Sequence, residues 1–430
     1  MSLTQLKEDL ESQRFVKTFG YIQKVRRDAV RVFIPNVKVG AVCHVETSTG
    51  LVPIEIVSLD PSGHVAMPLD DLGAVQLGDR VWIAEEKSTL AVDETILGTV
   101  VDSLSIPYDN PHKKFLDRVP LYGESLNPLD RELITEPLDL GVRSINACLS
   151  CGKGQRQGIF AGSGVGKSVL LGMMAKFTSA DVVVIGLIGE RGREVKEFIE
   201  HSLGKDGLKK SVIVVETADK SAIRRSRGAY AATAIAEYFR SRGKHVLLMM
   251  DSLTRFAMAQ REIGIAAGEP PTSKGYTPSC FAHLSRLVER AGNWGAKGSI
   301  TGLYTVLVEG DDLEDPVADG ARAILDGHIV LSRKLANRGH YPAVDVLSSV
   351  SRVMDKVVSR EHSLAARRVK ELMARYQENA DAVAYGMYIR GTDPEIDECV
   401  DSEPRIRDFL RQERDEKATF ADSKEKISQI

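Results

Sequence analysis

The chain has 430 residues, enough for two to four domains and a sizeable core, and its 43% hydrophobic and 27% charged residues match ordinary soluble globular proteins. A formal net charge of −3 excludes general nucleic-acid binding by bulk electrostatics. No apolar run approaches the roughly eighteen residues of a membrane span, and the charged start (Lys7, Glu8, Asp9, Glu11, Arg14) is not a signal peptide.

In chain order, residues 1–18 read as a short helix with Leu3, Leu6 and Leu10 on one face, serving either as a docking segment or as a cap. Residues 19–97 alternate short β-rich runs (30–34, 41–45, 51–57, 81–84) with Gly, Pro and Asp turns, the pattern of a small β-barrel or sandwich. A Pro- and charge-rich connector, poor in periodicity, fills 98–147. From 148 to 355 strand candidates at 156–160, 182–189, 212–216, 245–251, 299–308 and 328–331 alternate with helical patterns, including 228–240 and 280–291. That alternation predicts an α/β domain with a mostly parallel sheet covered on both faces. Beyond Val353 the apolar residues Ala365, Val369, Leu372, Met373 and Tyr376 keep helical spacing, giving a helical domain over 356–430. Five cysteines fit a reducing cytoplasm. Cys148-x-x-Cys151 is half of a zinc or redox pattern, and no second Cys/His pair is spaced to complete it.

One stretch organises the chemistry: Ala161-Gly162-Ser163-Gly164-Val165-Gly166-Lys167-Ser168, after a short apolar strand and before a helical run from Val169. Strand, glycine-rich turn and a helix opening on Gly-Lys-Ser make the context of a phosphate-binding P-loop, here with Ala161 in place of the first glycine. Backbone N–H groups and the helix N-terminus face the phosphates, Lys167 reaches the γ-phosphate, and the Ser168 hydroxyl ligates Mg²⁺. The bland alternative is a ligand-free turn. A dinucleotide site fails because Lys167 stands where its last glycine belongs.

The apolar strand ending in Asp251 has the form of a Walker B strand, whose acid holds Mg²⁺ through water; the alternative is a helix cap. Glu190 ends the 182–189 strand, expected beside the P-loop strand, and can polarise the attacking water; a charged helix start is the alternative. Arg191 or Arg193 can contact phosphate, while Glu194 reads as a first-turn helix acid. Arg352 can serve as an arginine finger, in cis or from a neighbour, or be a surface arginine. Tyr341 offers either a ring to stack on a base or a core tyrosine.

These motifs, in this order, resemble the catalytic subunits of rotary ATP synthases and, more closely, the ATPases of type III protein export. The resemblance runs from about Gly20 to Phe409. It implies a central RecA-like P-loop domain with an N-terminal barrel and C-terminal helices. By the same resemblance Glu190 is the catalytic glutamate, Tyr341 packs on adenine, and Ser349-Val350-Ser351-Arg352 is the finger segment. Segments 268–276, 307–312 and 324–333 look like the flagellar export ATPase and its injectisome relatives, with 158–174 and 359–364 nearer the flagellar form. The family implies a cytoplasmic homohexamer at the cytoplasmic face of the inner membrane, peripheral to the membrane-embedded export apparatus. Its partners would be a stator-like regulator on the N-terminal segment, a central stalk protein, the export gate and chaperone–substrate complexes, and no nucleic acid. Three rivals stand beside it. A non-catalytic ring subunit would lack Glu190, and a Rho-type translocase would want a basic or aromatic N-terminal domain. An ATP synthase catalytic subunit would borrow its arginine from a second chain, whereas this chain carries both glutamate and finger.

Overall fold

The computed structural model describes residues 18–123, 127–308 and 315–430. The expected helix at 1–18 falls outside them except for Thr18, and so do residues 309–312 of one family-like segment. Six strands, Phe19–Val25, Val30–Phe33, Val42–Thr47, Gly50–Ser58, His64–Pro68 and Arg80–Glu85, close into a barrel. Side-chain alternation turns Ile22, Val32, Val45, Ile54, Ile56 and Val81 into its interior, where they form one apolar cluster.

The stretch expected to be a plain connector is structured. Thr89–Val92 pairs antiparallel with Asp117–Pro120, Val100–Val101 adds a parallel edge to Ser211–Thr217, and Arg143–Cys148 is a buried helix. Strands of two to four residues are too short to show a period, so this order comes from pairing with distant chain.

The central sheet runs Val344–Ser351, Gly327–Leu331, Arg156–Ala161, Ser299–Leu307, His245–Asp251, Val182–Glu190, Ser211–Thr217, Val100–Val101, with Gly292–Asn293 paired to Ser299–Leu307. All neighbours on that path are parallel except the antiparallel Val344–Ser351. Val182–Glu190 shows why its strand reads as one apolar run. Val182, Val184 and Ile188 join the core on one face, and Val183, Ile185 and Leu187 the core on the other. Helices Ala222–Arg240, Leu253–Ala266 and Pro278–Val288 cover the first face; Lys167–Phe177 and the C-terminal helices cover the second. Ala222–Arg240 lies close to the sheet because its small residues allow it: a Cβ on Gly228 would stand 2.9 Å from both Glu216 Cγ and Ile188 Cδ1.

Two expectations need correction. The Val182–Glu190 strand does not flank the P-loop strand, since Ser299–Leu307 and His245–Asp251 lie between them. Parallel strands joined by crossover helices need not be neighbours in chain order. The edge strand Val344–Ser351 has no counterpart among the strand candidates, because its apolar alternation breaks at Ser348 and Ser349. Ser349 is nonetheless buried, since its hydroxyl donates to the Asp345 carbonyl and accepts from Val330 N–H.

C-terminal helix Arg360–Ala384 begins at an N-cap, Ser359, that accepts from His362 N–H. His362, Ala366, Val369 and Leu372 bury its first half, and Pro394–Leu410 packs back along it. Among the described residues no helix is long and apolar enough to cross a membrane.

A buried ion pair joins barrel to sheet domain. Glu55 of the barrel meets Arg227 of helix Ala222–Arg240, both side chains 3% exposed, with Ser88 and the Tyr122 hydroxyl completing the group. Removing one partner strands a charge, so Arg227→Ala should lower unfolding free energy by about 3–5 kcal/mol in urea denaturation. Replacing both Glu55 and Arg227 with methionine should cost far less. Equal losses in the two variants would show that charge burial is not what makes this contact matter.

Candidate active site

Arg156–Ala161 delivers the chain to the carboxyl edge of the sheet, where the turn at 162–166 enters helix Lys167–Phe177. Gly164 (φ 75°) and Gly166 (φ 88°) are left-handed, a conformation that disfavours side chains, which accounts for glycine at these two positions. Gly166 is the N-cap and offers no side chain to the first helical amides. Ala161, Gly162 and Val165 are buried beneath the turn, while Ser163, Gly164, Ser168 and Val169 face solvent. A backbone cradle open on one side at a helix N-terminus suits an anionic phosphate chain.

Three side chains converge beside it. Lys167 Nζ lies 2.6 Å from Asp251 Oδ1 and 3.5 Å from Glu190 Oε1. One strand separates the P-loop strand from that of Asp251 and two from that of Glu190, and the lysine reaches across because the loop carries it over the sheet edge. Burial opposes charge on Lys167, but Asp251 and then Glu190 outweigh it and hold the ammonium above its ordinary range. Burial, then the charge of Asp251, pushes the Glu190 carboxyl up to about 7, with Lys167 pulling the other way. The ion pair and the raised value coexist because 3.5 Å is a loose contact, weaker than the desolvation it opposes.

The other expected residues divide. Tyr341 stands over the cradle, half exposed: a Cβ on Gly166 would come within 3.4 Å of its ring. Arg191 is not drawn into the cluster. Its guanidinium is 81% exposed and lies 3.4 Å from Glu194, at the start of helix Gly192–Glu197. Arg352 is on the far edge of the sheet. Val344 pairs with Leu331 beside the P-loop end, and the strand then runs antiparallel until Ser351 meets Gly327. Eight residues of strand put Arg352 ~25 Å from its own P-loop. Its main-chain N–H donates to the Asp326 carbonyl, and Nη2 is 3.5 Å from the Arg322 carbonyl.

The residues present fit a magnesium nucleotide. Ser168 presents an exposed hydroxyl at the cradle, Asp251 a buried carboxylate, and Arg255 a buried Nε with no hydrogen-bond partner. Among the described residues no cluster of three or more His, Cys, Asp or Glu forms a metal cage, whereas Mg²⁺ beside phosphates needs only one or two protein ligands.

The nucleotide-binding domain of the ATP synthase alpha/beta family matches residues 141–351, and the C-terminal domain of the type III secretion ATPase EscN matches 358–429. The flagellum-specific ATP synthase of Pseudomonas aeruginosa is 51% identical over 398 residues, spanning 91% of this chain and 88% of that protein. The chain belongs to the flagellar and type III secretion ATPase family.

Another member, the type 3 secretion system ATPase of Xanthomonas euvesicatoria, is 45% identical over 430 residues, covering 99% of this chain and 97% of that one. The structure of assembled EscN from enteropathogenic E. coli in complex with its central stalk EscO superposes with a TM-score of 0.88 at 40% identity, covering 95% and 98% of the two chains. As an export ATPase of this family, the protein is a nucleotide-binding enzyme.

Sequence reasoning missed two members of the site. Thr305 donates its hydroxyl to Asp251 Oδ1 at 2.6 Å, a contact set by sheet order alone. Arg255 packs against Gly189, and it carried a readable signal: a cation in the first turn of a helix opposes the dipole and calls for some other partner. Cys148 and Cys151 are buried, which pushes both thiols up to about 12 and leaves them without thiolate character. A concavity of about 660 Å³ opens between the barrel and helices Ala222–Arg240 and Pro278–Val288, lined in part by Glu55, Tyr122, Tyr230 and Arg286; no residue of the Lys167 cluster lines it.

With its value raised to about 7, Glu190 is protonated below neutrality in the nucleotide-free protein. The kcat/KM for ATP should therefore climb roughly tenfold per pH unit below pH 7 and level off above it. Glu190→Gln should remove that limb. For stability the sign is opposite: the unfolded chain ionises first, so stability falls between about 4.5 and 7 and the penalty is constant above. A wild-type profile flat across this window would exclude Glu190 as the titrating base.

Proposed function

We propose that this ATPase hydrolyses Mg-ATP at the subunit boundaries of a homohexameric ring and energises export of flagellar type III proteins. The observation that carries the reading is the placement of Lys167, Asp251 and Glu190 on one sheet edge and Arg352 on the other. A single chain cannot bring the two together, whereas a head-to-tail ring sets each P-loop beside the far edge of a neighbour.

Each residue then has a task. The amides of 162–169 bind the β- and γ-phosphates, and Lys167 leaves Asp251 to meet the γ-phosphate. Ser168 and, through water, Asp251 would hold Mg²⁺, which supplies charge neutralisation on the bridging phosphates. Thr305 keeps the Asp251 carboxylate oriented. Glu190 accepts a hydrogen bond from the attacking water and takes its proton; a pKa near 7 suits that step at neutral pH. Tyr341 stacks on the adenine. Arg352 of the neighbouring copy stabilises the charge that develops on the transferred phosphoryl group.

The flagellar choice follows from the flagellar character of 158–174 and 359–364 and from the 51% identity to a flagellum-specific relative. The injectisome reading is the alternative, supported by the match to the Xanthomonas protein over nearly the whole chain. By analogy with assembled EscN in complex with its stalk, a central stalk occupies the ring; the family resemblance adds a stator-like regulator docked on residues 1–18, the export gate and chaperone–substrate complexes. The ring works at the cytoplasmic face of the inner membrane.

Lys167→Ala and Arg352→Ala should each lose roughly 10³-fold or more in turnover, and Arg352→Ala should keep ATP affinity. Mixing the two inactive proteins should restore partial activity, because some boundaries then pair an intact P-loop with an intact arginine. No rescue, with mixed rings verified by mass spectrometry, would exclude the finger in trans.

Deleting the protein from its bacterium should abolish swimming and remove filament protein from the culture medium. Intact motility with lost delivery of other secreted proteins would transfer the assignment to an injectisome.

A further inference from the structure

Gln412 lies two residues beyond helix Pro394–Leu410 and is 5% exposed. Every polar group of its side chain is used. Oε1 accepts from Arg143 N–H at 2.7 Å, while Nε2 donates to the Gly141 carbonyl at 2.8 Å and the Glu416 carbonyl at 2.7 Å. Its main-chain N–H donates to the Tyr341 carbonyl at 3.0 Å. Arg143 reinforces the same turn, holding the Phe409 and Arg411 carbonyls at 3.1 and 2.8 Å and pairing with Glu416. The peptide that reaches Tyr341 is therefore clamped to the entry of the P-loop domain from three sides.

The main chain on either side of this tyrosine is pinned by His340 N–H donating to the Leu335 carbonyl and by Ser332 N–H donating to the Ala343 carbonyl, and the Tyr341 carbonyl itself is held by Gln412. Tyr341 is 46% exposed, and its ring leans on the P-loop at Gly166. Exposed aromatic side chains sample several rotamers, and a stacking surface is effective only when its backbone is placed beforehand.

We propose that Gln412 is a positioning residue for Tyr341, through which the C-terminal helices set the affinity of the site for the adenine base. This rests on the reading of Tyr341 as the base-stacking side chain. Helix Pro394–Leu410 ends two residues before the clamp, so a partner that tilts the C-terminal hairpin pulls on the base platform rather than on the phosphate cradle.

The test separates base from phosphates in the full-length protein. ATP affinity is measured by equilibrium binding, and the phosphate cradle alone by competition with inorganic tripolyphosphate. Gln412→Ala should weaken ATP roughly five- to tenfold, the scale of one aromatic stacking contact, and leave tripolyphosphate unchanged. Gln412→Met fills a similar volume without burying a charge, loses the acceptor and both donations, and should shift ATP in the same direction with less cavity than alanine. Adding Gln412→Ala to Tyr341→Ala should cost nothing further. Unchanged ATP affinity in both Gln412 variants, or equal loss of ATP and tripolyphosphate, overturns the proposal. If Tyr341→Ala itself binds ATP normally, the base-stacking reading fails and the proposal falls with it.

Discussion

One ammonium between two buried carboxylates is the contact on which the functional half of this structure depends. Lys167 sits 2.6 Å from Asp251 and 3.5 Å from Glu190 in a site largely closed to water. A buried charge persists only if paired, so the lysine compensates Asp251 while the phosphates are absent. Glu190, left with the looser contact, rises towards neutrality. Asp251 is the closer partner of the lysine, while Glu190 becomes titratable near neutrality, which suits it to take a proton from water next to a charged phosphate chain.

Sheet topology keeps Arg352 away from this site within one chain. The final strand turns antiparallel to the rest and carries Arg352 away from the P-loop edge. Tyr341, at the beginning of that excursion, stays over the cradle. One edge strand thus separates Tyr341 and Arg352, eleven positions apart in sequence, leaving the tyrosine at the cradle and carrying the arginine to the opposite end of the sheet.

The flanking domains are tied to this core by buried polar contacts rather than by apolar area alone. Glu55 and Arg227 join the barrel to helix Ala222–Arg240, whose face lies on the catalytic sheet. At the opposite end, Arg143 and Gln412 fasten the C-terminal helices to the segment leading into the P-loop strand. Both links are buried and polar: Glu55 and Ser88 pair with Arg227, whose Nε is left without a partner, and every polar group of the Gln412 side chain is paired.

Much of this was legible in the chain. Glycines at 164 and 166, a lysine and serine opening a helix, and apolar strands ending in Asp251 and Glu190 are local patterns, because phosphate cradles and strand tips are built from contiguous residues. Family-specific segments identified the class, and the barrel, sheet and helical regions followed from periodicity. Sequence could not order the strands: that Thr305 reaches Asp251, that two strands divide Glu190 from the P-loop strand, and that 344–351 runs backwards are consequences of pairing between distant segments. Periodicity reports which face a residue shows and is silent on its neighbour. The chemistry of each group was therefore determined by the sequence itself. Their distances, the raised pKa of Glu190 and the separation of Arg352 from its own P-loop were decided only when the sheet closed, because burial and charge proximity are properties of the packed structure.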